Sequence, residues 1–201
     1  MTSPTDRTLA AYQDGVTAYV AGSPPRVTES VAALLEQVTT HVPAGEVLEL
    51  GSGPGLDAQY LEDRGLLVHR TDAAPAFVEQ LRQAGHQARL LDVRCGDLGG
   101  PFDAVLANAV LLHLDRDDLR RALRACHAAT RPGGVFALTL EEGDGEAWSD
   151  AKLGQPRWFA YWREPALRQA LSNTGWTVVS LQRVQGRLEP WIYVLCQRCD
   201  S

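Results

Sequence analysis

Val47-Leu48-Glu49-Leu50-Gly51-Ser52-Gly53-Pro54-Gly55 decides how this chain is read. Four residues with β character run into three glycines at alternate positions. The helical stretch Leu56 to Arg64 follows at once, and Gly65 stops it. A buried strand, a tight glycine turn and a helix make one α/β unit. In open α/β sheets the crevice outside the strand ends is where ligands bind. Glycine there permits a tight turn and close approach of a ligand to the backbone.

Outward from this unit the same alternation continues. Leu66 to Thr71 reads as the next strand, ending beside Asp72. Pro75 opens a helix that Gly85 ends. Gln87 to Leu91 and Phe102 to Ala107 are further strands. Asp115 caps a helix with acids early and arginines late, the polarity a helix dipole favours. Arg131-Pro132-Gly133-Gly134 breaks it before a strand at Val135 to Leu140. Glu164-Pro165 opens a helix that runs to Gly175, and Trp176 to Leu181 and Trp191 to Cys196 are the last two strands. The expected fold is α/β and doubly wound: a seven-stranded, mostly parallel sheet with helices on both faces. The link between the final two strands is too short for a helical crossover, so the last strand is expected antiparallel.

Composition narrows the field. The chain has 201 residues, 45% apolar and 22% charged, with a net charge of −6. These are values of a globular protein large enough to bury a core without disulfides. Net acidity argues against nonspecific nucleic-acid binding. No apolar run approaches the roughly 20 residues of a membrane span, and no signal peptide is evident. Cys95, Cys126, Cys196 and Cys199 are too sparse for a disulfide framework, which suggests a cytoplasmic protein with free thiols. Cys196 and Cys199 form a lone C-x-x-C with no second pair, and no histidine has metal-ligand spacing. No metal site is expected.

The glycine loop alone is a weak signal, because a plain structural turn has the same composition. Its context strengthens it, since Asp72 at the end of the next strand can accept hydrogen bonds from both hydroxyls of a ribose. A dinucleotide fingerprint requires a third glycine where Leu56 stands, and no Gly-Lys-Ser/Thr ending marks a phosphate loop. The G-x-G-x-G spacing resembles that of the class I S-adenosylmethionine-dependent methyltransferases. Other segments resemble that family in the right order: Thr71 to Pro75, Leu90 to Val93, Phe102 to Leu114 and Arg131 to Leu140.

The resemblance implies methyl transfer from S-adenosyl-L-methionine, leaving S-adenosyl-L-homocysteine, to a small-molecule acceptor through oxygen or nitrogen. It implies that Asp72 holds the ribose, Ala73 packs beside the adenine, Asp92 meets the exocyclic amine and Val93 the ring edge. Glu49, Gly51, Gly53 and Gly55, with the backbone near Asn108, would serve the amino-acid tail. Tyr12 and Tyr19 lie in a segment that resembles one closing over the cofactor, or they simply pack on the sheet. His113 is either a general base or a packing residue under the cofactor loop. A methyltransferase acting on protein or RNA, and a binding protein without catalysis, stay open as alternatives.

One domain leaves two places for substrate choice. Residues 1–45 read as a helical cap, 46–140 as the cofactor core, and 164–201 as a helix and terminal hairpin. Residues 141–163 read as a long loop, a lid over the site or an aromatic anchor. Arg157, Trp158, Tyr161 and Trp162 are its substrate candidates, the arginine for an acidic group and the aromatics as walls. The chain is expected to act as a monomer or homodimer.

Overall fold

A computed structural model describes residues 3–151, 153–186 and 189–199. In chain order the elements are α1 (Pro4–Ala21), α2 (Glu29–His41), β1 (Glu46–Glu49), α3 (Leu56–Glu62), β2 (Leu67–Asp72), α4 (Pro75–Gln83), β3 (Ala88–Leu90) and β4 (Phe102–Ala107). A 3-10 turn (Leu111–His113) precedes α5 (Arg116–Ala129), β5 (Thr130–Glu141), β6 (Glu146–Ser149), β7 (Arg157–Ala160), α6 (Glu164–Ser172), β8 (Trp176–Gln185) and β9 (Pro190–Arg198).

Seven strands form one sheet in the order β3-β2-β1-β4-β5-β9-β8. β9 pairs antiparallel with both β5 and β8, and the remaining pairs are parallel. The expected seven-stranded, doubly wound sheet is therefore present. Its central strands are continuous apolar runs because both faces are covered. Leu48, Val105, Ala107, Phe136 and Leu138 join a core with α5 and α6 on one face. Val47, Ala104, Leu106, Val135 and Ala137 join a core with α2 and α3 on the other. Successive strand residues point to opposite faces, so one run of sequence supplies both cores.

Several segments differ from the sequence expectation, and β5 already begins at Thr130 and includes Arg131 to Gly134. α1 is a single helix of 18 residues, although Gly15 in its interior is a poor helix former. Ser3 and Asp6 form a reciprocal capping box at its start, which satisfies two amide donors. Gly15 is buried, and a side chain there would stand about 3.4 Å from Leu153. The glycine allows close packing of α1 on the segment after β6.

Residues 141–163 are likewise not a bare loop. β6 and β7 pair as an antiparallel ribbon, with Trp148 opposite Trp158. The ribbon is fixed to α1 by the Trp158 amide, which donates to Thr8 Oγ1 at 2.9 Å. Among the described residues, no helix is long and apolar enough to cross a membrane. Cys196 is buried within β9 and Cys199 is exposed, so the C-x-x-C pair straddles the end of a core strand.

Candidate active site: two clefts that meet at one turn

The glycine loop is stitched to β2. Ser52 donates its amide to the Thr71 carbonyl, and the Thr71 amide donates to Ser52 Oγ. Gly53 donates its amide to Asp72 Oδ2 at 2.9 Å, and Ala74 donates to Oδ1 at 2.8 Å. Asp72 is only 7% exposed, and burial raises its pKa above the usual carboxylate range while backbone donors oppose the rise.

The glycines divide by role. Gly53 has φ +49°, and a side chain there would meet nothing within 4 Å. That open space belongs to a cleft lined by Leu50, Gly51, Gly53, Asp72, Ala73, Phe77, Leu91, Asp92 and Val93. Gly51 has φ +63°, and a Cβ would stand 2.5 Å from Val110. Gly55 caps α3 in the left-handed conformation, and a Cβ there would stand 2.8 Å from Leu81. Gly55 thus serves packing and does not line the cleft.

Two other residues expected at the cofactor's tail lie beneath the loop. Glu49 is buried on the α3 side of the sheet, where Oε2 has no hydrogen-bond partner. Burial, then the nearby Asp57 charge, pushes its pKa up to about 8. Asn108 bridges Asp57 and β5: its Nδ2 donates to Asp57 Oδ2 at 2.7 Å, and its Oδ1 accepts from Thr139 Oγ1 at 2.7 Å. Thr139 Oγ1 also accepts the Ala109 amide. This network holds the end of β4, so Asn108 acts on the site through Ala109. Ala109 has φ +57°, an uncommon conformation for a residue with a side chain.

Asp92 does line the cleft, but its carboxylate also grips Arg94. Arg94 in turn reaches Asp6 of α1 at 2.8 Å. The β3 end of the cleft and the start of α1 are thereby tied together.

A second cleft, about 490 Å³, adjoins the first. Tyr19, Ala109 and His113 line both. Tyr12, Glu141, Arg157, Phe159, Tyr161 and Trp191 are among its other wall residues. The size and mixed lining suit a small organic ligand. Arg157 is 6% exposed and its Nε has no hydrogen-bond partner. Among the described residues it makes no ion pair.

Of the four aromatic and basic candidates in the link, Arg157 and Tyr161 face this cleft. Trp158 and Trp162 do not. Trp158 is buried, and its backbone anchors α1 and His113. Trp162 sits in the core at 2% exposure with the Arg116 guanidinium 3.8 Å from its ring centre. The aromatic run is partly an anchor, because strand pairing in β7 and the bridge to Glu142 turn alternate residues inward. Glu141, Phe159 and Trp191 were missed as wall residues. They meet only through the β5–β9 pairing, in which Glu141 lies opposite Trp191, and through the ribbon.

His113 is held from both sides. Nδ1 lies 2.7 Å from the Trp158 carbonyl, which can only accept, so Nδ1 carries the proton. Nε2 then accepts from the Tyr12 hydroxyl at 2.9 Å. Tyr12 packs edge-on against Tyr19 and His113, and Tyr19 against Phe77. α1 thus places both tyrosines across the boundary of the two clefts.

Comparison with known proteins gives this arrangement a family. A family model described as a methyltransferase domain matches residues 48–138. The structure superposes on a 1,6-didemethyltoxoflavin-N1-methyltransferase from Burkholderia thailandensis, solved with 1,6-didemethyltoxoflavin and S-adenosylhomocysteine bound. That match has a TM-score of 0.76 and 25% identity, and covers 100% of this chain and 92% of the other. The chain is similar to the class I S-adenosylmethionine-dependent methyltransferases.

Among curated relatives, a ubiquinone biosynthesis O-methyltransferase of Methylocella silvestris is 37% identical over 102 residues. The match covers 47% of this chain and 39% of that protein. A protein of the same name from Xanthomonas campestris pv. campestris is 27% identical over 169 residues, covering 75% and 69%. The chain therefore spans well under half of the first relative's length and about two thirds of the second's.

S-adenosylmethionine, the cofactor of these methyltransferases, fits the first cleft. Gly53 leaves room where a side chain would intrude. Asp72 presents a buried carboxylate for a ribose, and Leu91 and Val93 give apolar edges for a flat base beside the carboxylate of Asp92.

Proposed function

We propose that this methyltransferase methylates a small molecule held in the second cleft. The observation that carries the reading is the shared turn: Ala109 and His113, with Tyr19 above them, line both clefts. A donor in one cleft and an acceptor in the other would face each other there. S-adenosylmethionine supplies a methyl group on a good leaving group, so alignment of the acceptor can provide much of the catalysis.

In this reading Asp72 orients the ribose, Ala73 and Val93 flank the base, and Asp92 receives its amine. Gly51 and Gly53 let the tail approach the backbone. Tyr12 and Tyr19 form a roof at the boundary that excludes water. Arg157 and Tyr161 hold the acceptor. His113 positions Tyr12 and the ribbon, because both of its ring nitrogens already have partners.

A small acceptor is supported by the cleft's size and by the bound heterocycle of the Burkholderia neighbour. Net acidity supports a partner other than nucleic acid. Both clefts are lined by one chain, so a monomer suffices and a homodimer would carry two independent sites. The free cysteines support a cytoplasmic location.

The test is incubation with methyl-labelled S-adenosylmethionine and a mixed metabolite extract, read by mass spectrometry. A labelled, methyl-sized mass gain on a small molecule is expected. Label that appears only in protein or RNA would reject the reading.

A further inference from the structure

Glu141 ends β5 at the second cleft. It lies two residues beyond Thr139, so both side chains leave the same face of the strand. Thr139 bonds the Ala109 amide at the boundary of the two clefts. Glu141 is therefore one strand step from the turn where donor and acceptor would meet.

Its neighbour Glu142 has a different fate. Glu142 is buried and paired with Arg183 at 2.9 Å, a structural ion pair. Glu141 makes no ion pair among the described residues. The charged and titratable groups that share the cleft with Glu141 are Glu189 from the turn before β9, Arg157 from β7, Tyr161 after it, Tyr12 and Tyr19 from α1, and His113.

Arg157 is the complementary feature. It is more than nine-tenths buried, donates Nη1 to the Tyr12 hydroxyl at 3.0 Å, and leaves Nε unpartnered. A buried guanidinium group without a carboxylate is costly unless a ligand completes it. The same cleft also presents flat surfaces. Phe159 and Tyr161 lie nearly parallel, at 14°, with Trp191 opposite Glu141.

We propose that the second cleft takes a planar acceptor bearing a weakly acidic ring N–H or phenolic O–H, with Arg157 binding its carbonyl or anionic oxygen and Glu141 removing the proton. The acceptor's nitrogen or oxygen lone pair forms the new bond to the methyl carbon. The carbon–sulfur bond breaks, its electron pair stays on sulfur, and the acceptor proton passes to the Glu141 carboxylate.

Burial, then the Glu189 charge, pushes the Glu141 pKa up to about 7, against the opposing pull of Arg157. An acid poised there is a competent base at neutral pH. His113 is less suited, because its Nε2 already accepts from Tyr12. The inference rests on the methyl-transfer reading and adds the acceptor's chemistry and the base.

The test uses the full chain loaded with S-adenosylhomocysteine and titrated calorimetrically with lumazine, 4-hydroxyquinoline, 1,3-dimethyllumazine and cyclohexylamine. Lumazine or 4-hydroxyquinoline is expected to bind, at least 10-fold tighter than the two compounds lacking an acidic N–H or O–H. Arg157→Met is expected to weaken that binding at least 10-fold. With S-adenosylmethionine, the bound compound is expected to gain a methyl group, with a rate that rises with pH through about 7.

Glu141→Gln should lower that rate about 10²- to 10⁴-fold and abolish the rise, at unchanged S-adenosylhomocysteine affinity. Glu141→Asp should recover part of it. An infrared carboxyl band titrating near 7 in the wild type and missing from Glu141→Gln gives a readout independent of turnover. Protein that binds S-adenosylhomocysteine but neither acidic probe, or binds one without methylating it, overturns the inference. So does a Glu141→Gln variant with the wild-type pH profile. Failure to bind S-adenosylhomocysteine at all would instead remove the methyl-transfer reading.

Discussion

Tyr12 and His113 are separated by 101 residues of sequence, yet the tyrosine hydroxyl lies 2.9 Å from the imidazole Nε2. The same hydroxyl accepts from Arg157 at 3.0 Å. One oxygen thus links α1, the turn after β4 and the ribbon, the three elements that roof the second cleft.

Tyr12→Phe removes that oxygen while keeping the ring. The variant takes one partner from His113 and one from buried Arg157, so a stability loss of about 1–3 kcal/mol is expected. S-adenosylhomocysteine binding should change little, because Tyr12 lines only the second cleft. Thermal denaturation and calorimetry check the two halves of this prediction. Equal loss of cofactor affinity and stability would show that Tyr12 belongs to the first cleft.

The loop glycines should separate under substitution. Gly51→Ala forces a side chain into a left-handed backbone and against Val110, so a loss of at least about 1–2 kcal/mol is expected. Gly53→Ala carries a similar backbone cost but meets open space. Its added methyl should stand where the cofactor does and lower S-adenosylhomocysteine affinity 10-fold or more. Melting temperatures and titrations of the two variants separate Gly51, which lines the cleft and is also packed against Val110, from Gly53, which faces the ligand alone.

Glu49 makes stability fall as pH rises. Its folded pKa of about 8 exceeds the ordinary glutamate value of 4.5, so between these values the folded chain holds a proton the unfolded chain has released. The stability is fully present below about 4.5 and is lost as pH rises through about 8. Half-buried Asp57, whose pKa is also raised, acts in the same direction. Denaturant titrations from pH 5 to 9 should show a decline of order 2–4 kcal/mol. Glu49→Gln should flatten much of it. A wild type whose stability rises across that window would contradict the placement of Glu49.

The residues that proved legible in sequence are those whose function is local. Gly53 and Asp72 sit at the ends of adjacent strands, and the strand–loop–helix pattern announces such positions. The second cleft is not local. Glu141, Phe159 and Trp191 come from three segments joined by β5–β9 pairing and the ribbon, and no spacing in the chain records that. Trp158 and Trp162 misled for a related reason. A run of aromatics looks like one wall, but a short strand sends neighbouring side chains in opposite directions, and both indoles were buried. The family resemblance puts Glu49 and Asn108 at the cofactor's tail. The pleat turns Glu49 to the α3 side, and Asp57 and Thr139 hold Asn108.

The two-cleft arrangement is tested most directly by calorimetric titration of S-adenosylhomocysteine into three proteins: wild type, Asp72→Asn and Tyr161→Ala. The expected result is one site per chain in the wild type, at least a 10-fold loss in Asp72→Asn, and unchanged affinity in Tyr161→Ala. Absence of binding in the wild type, or equal losses in both variants, would contradict it.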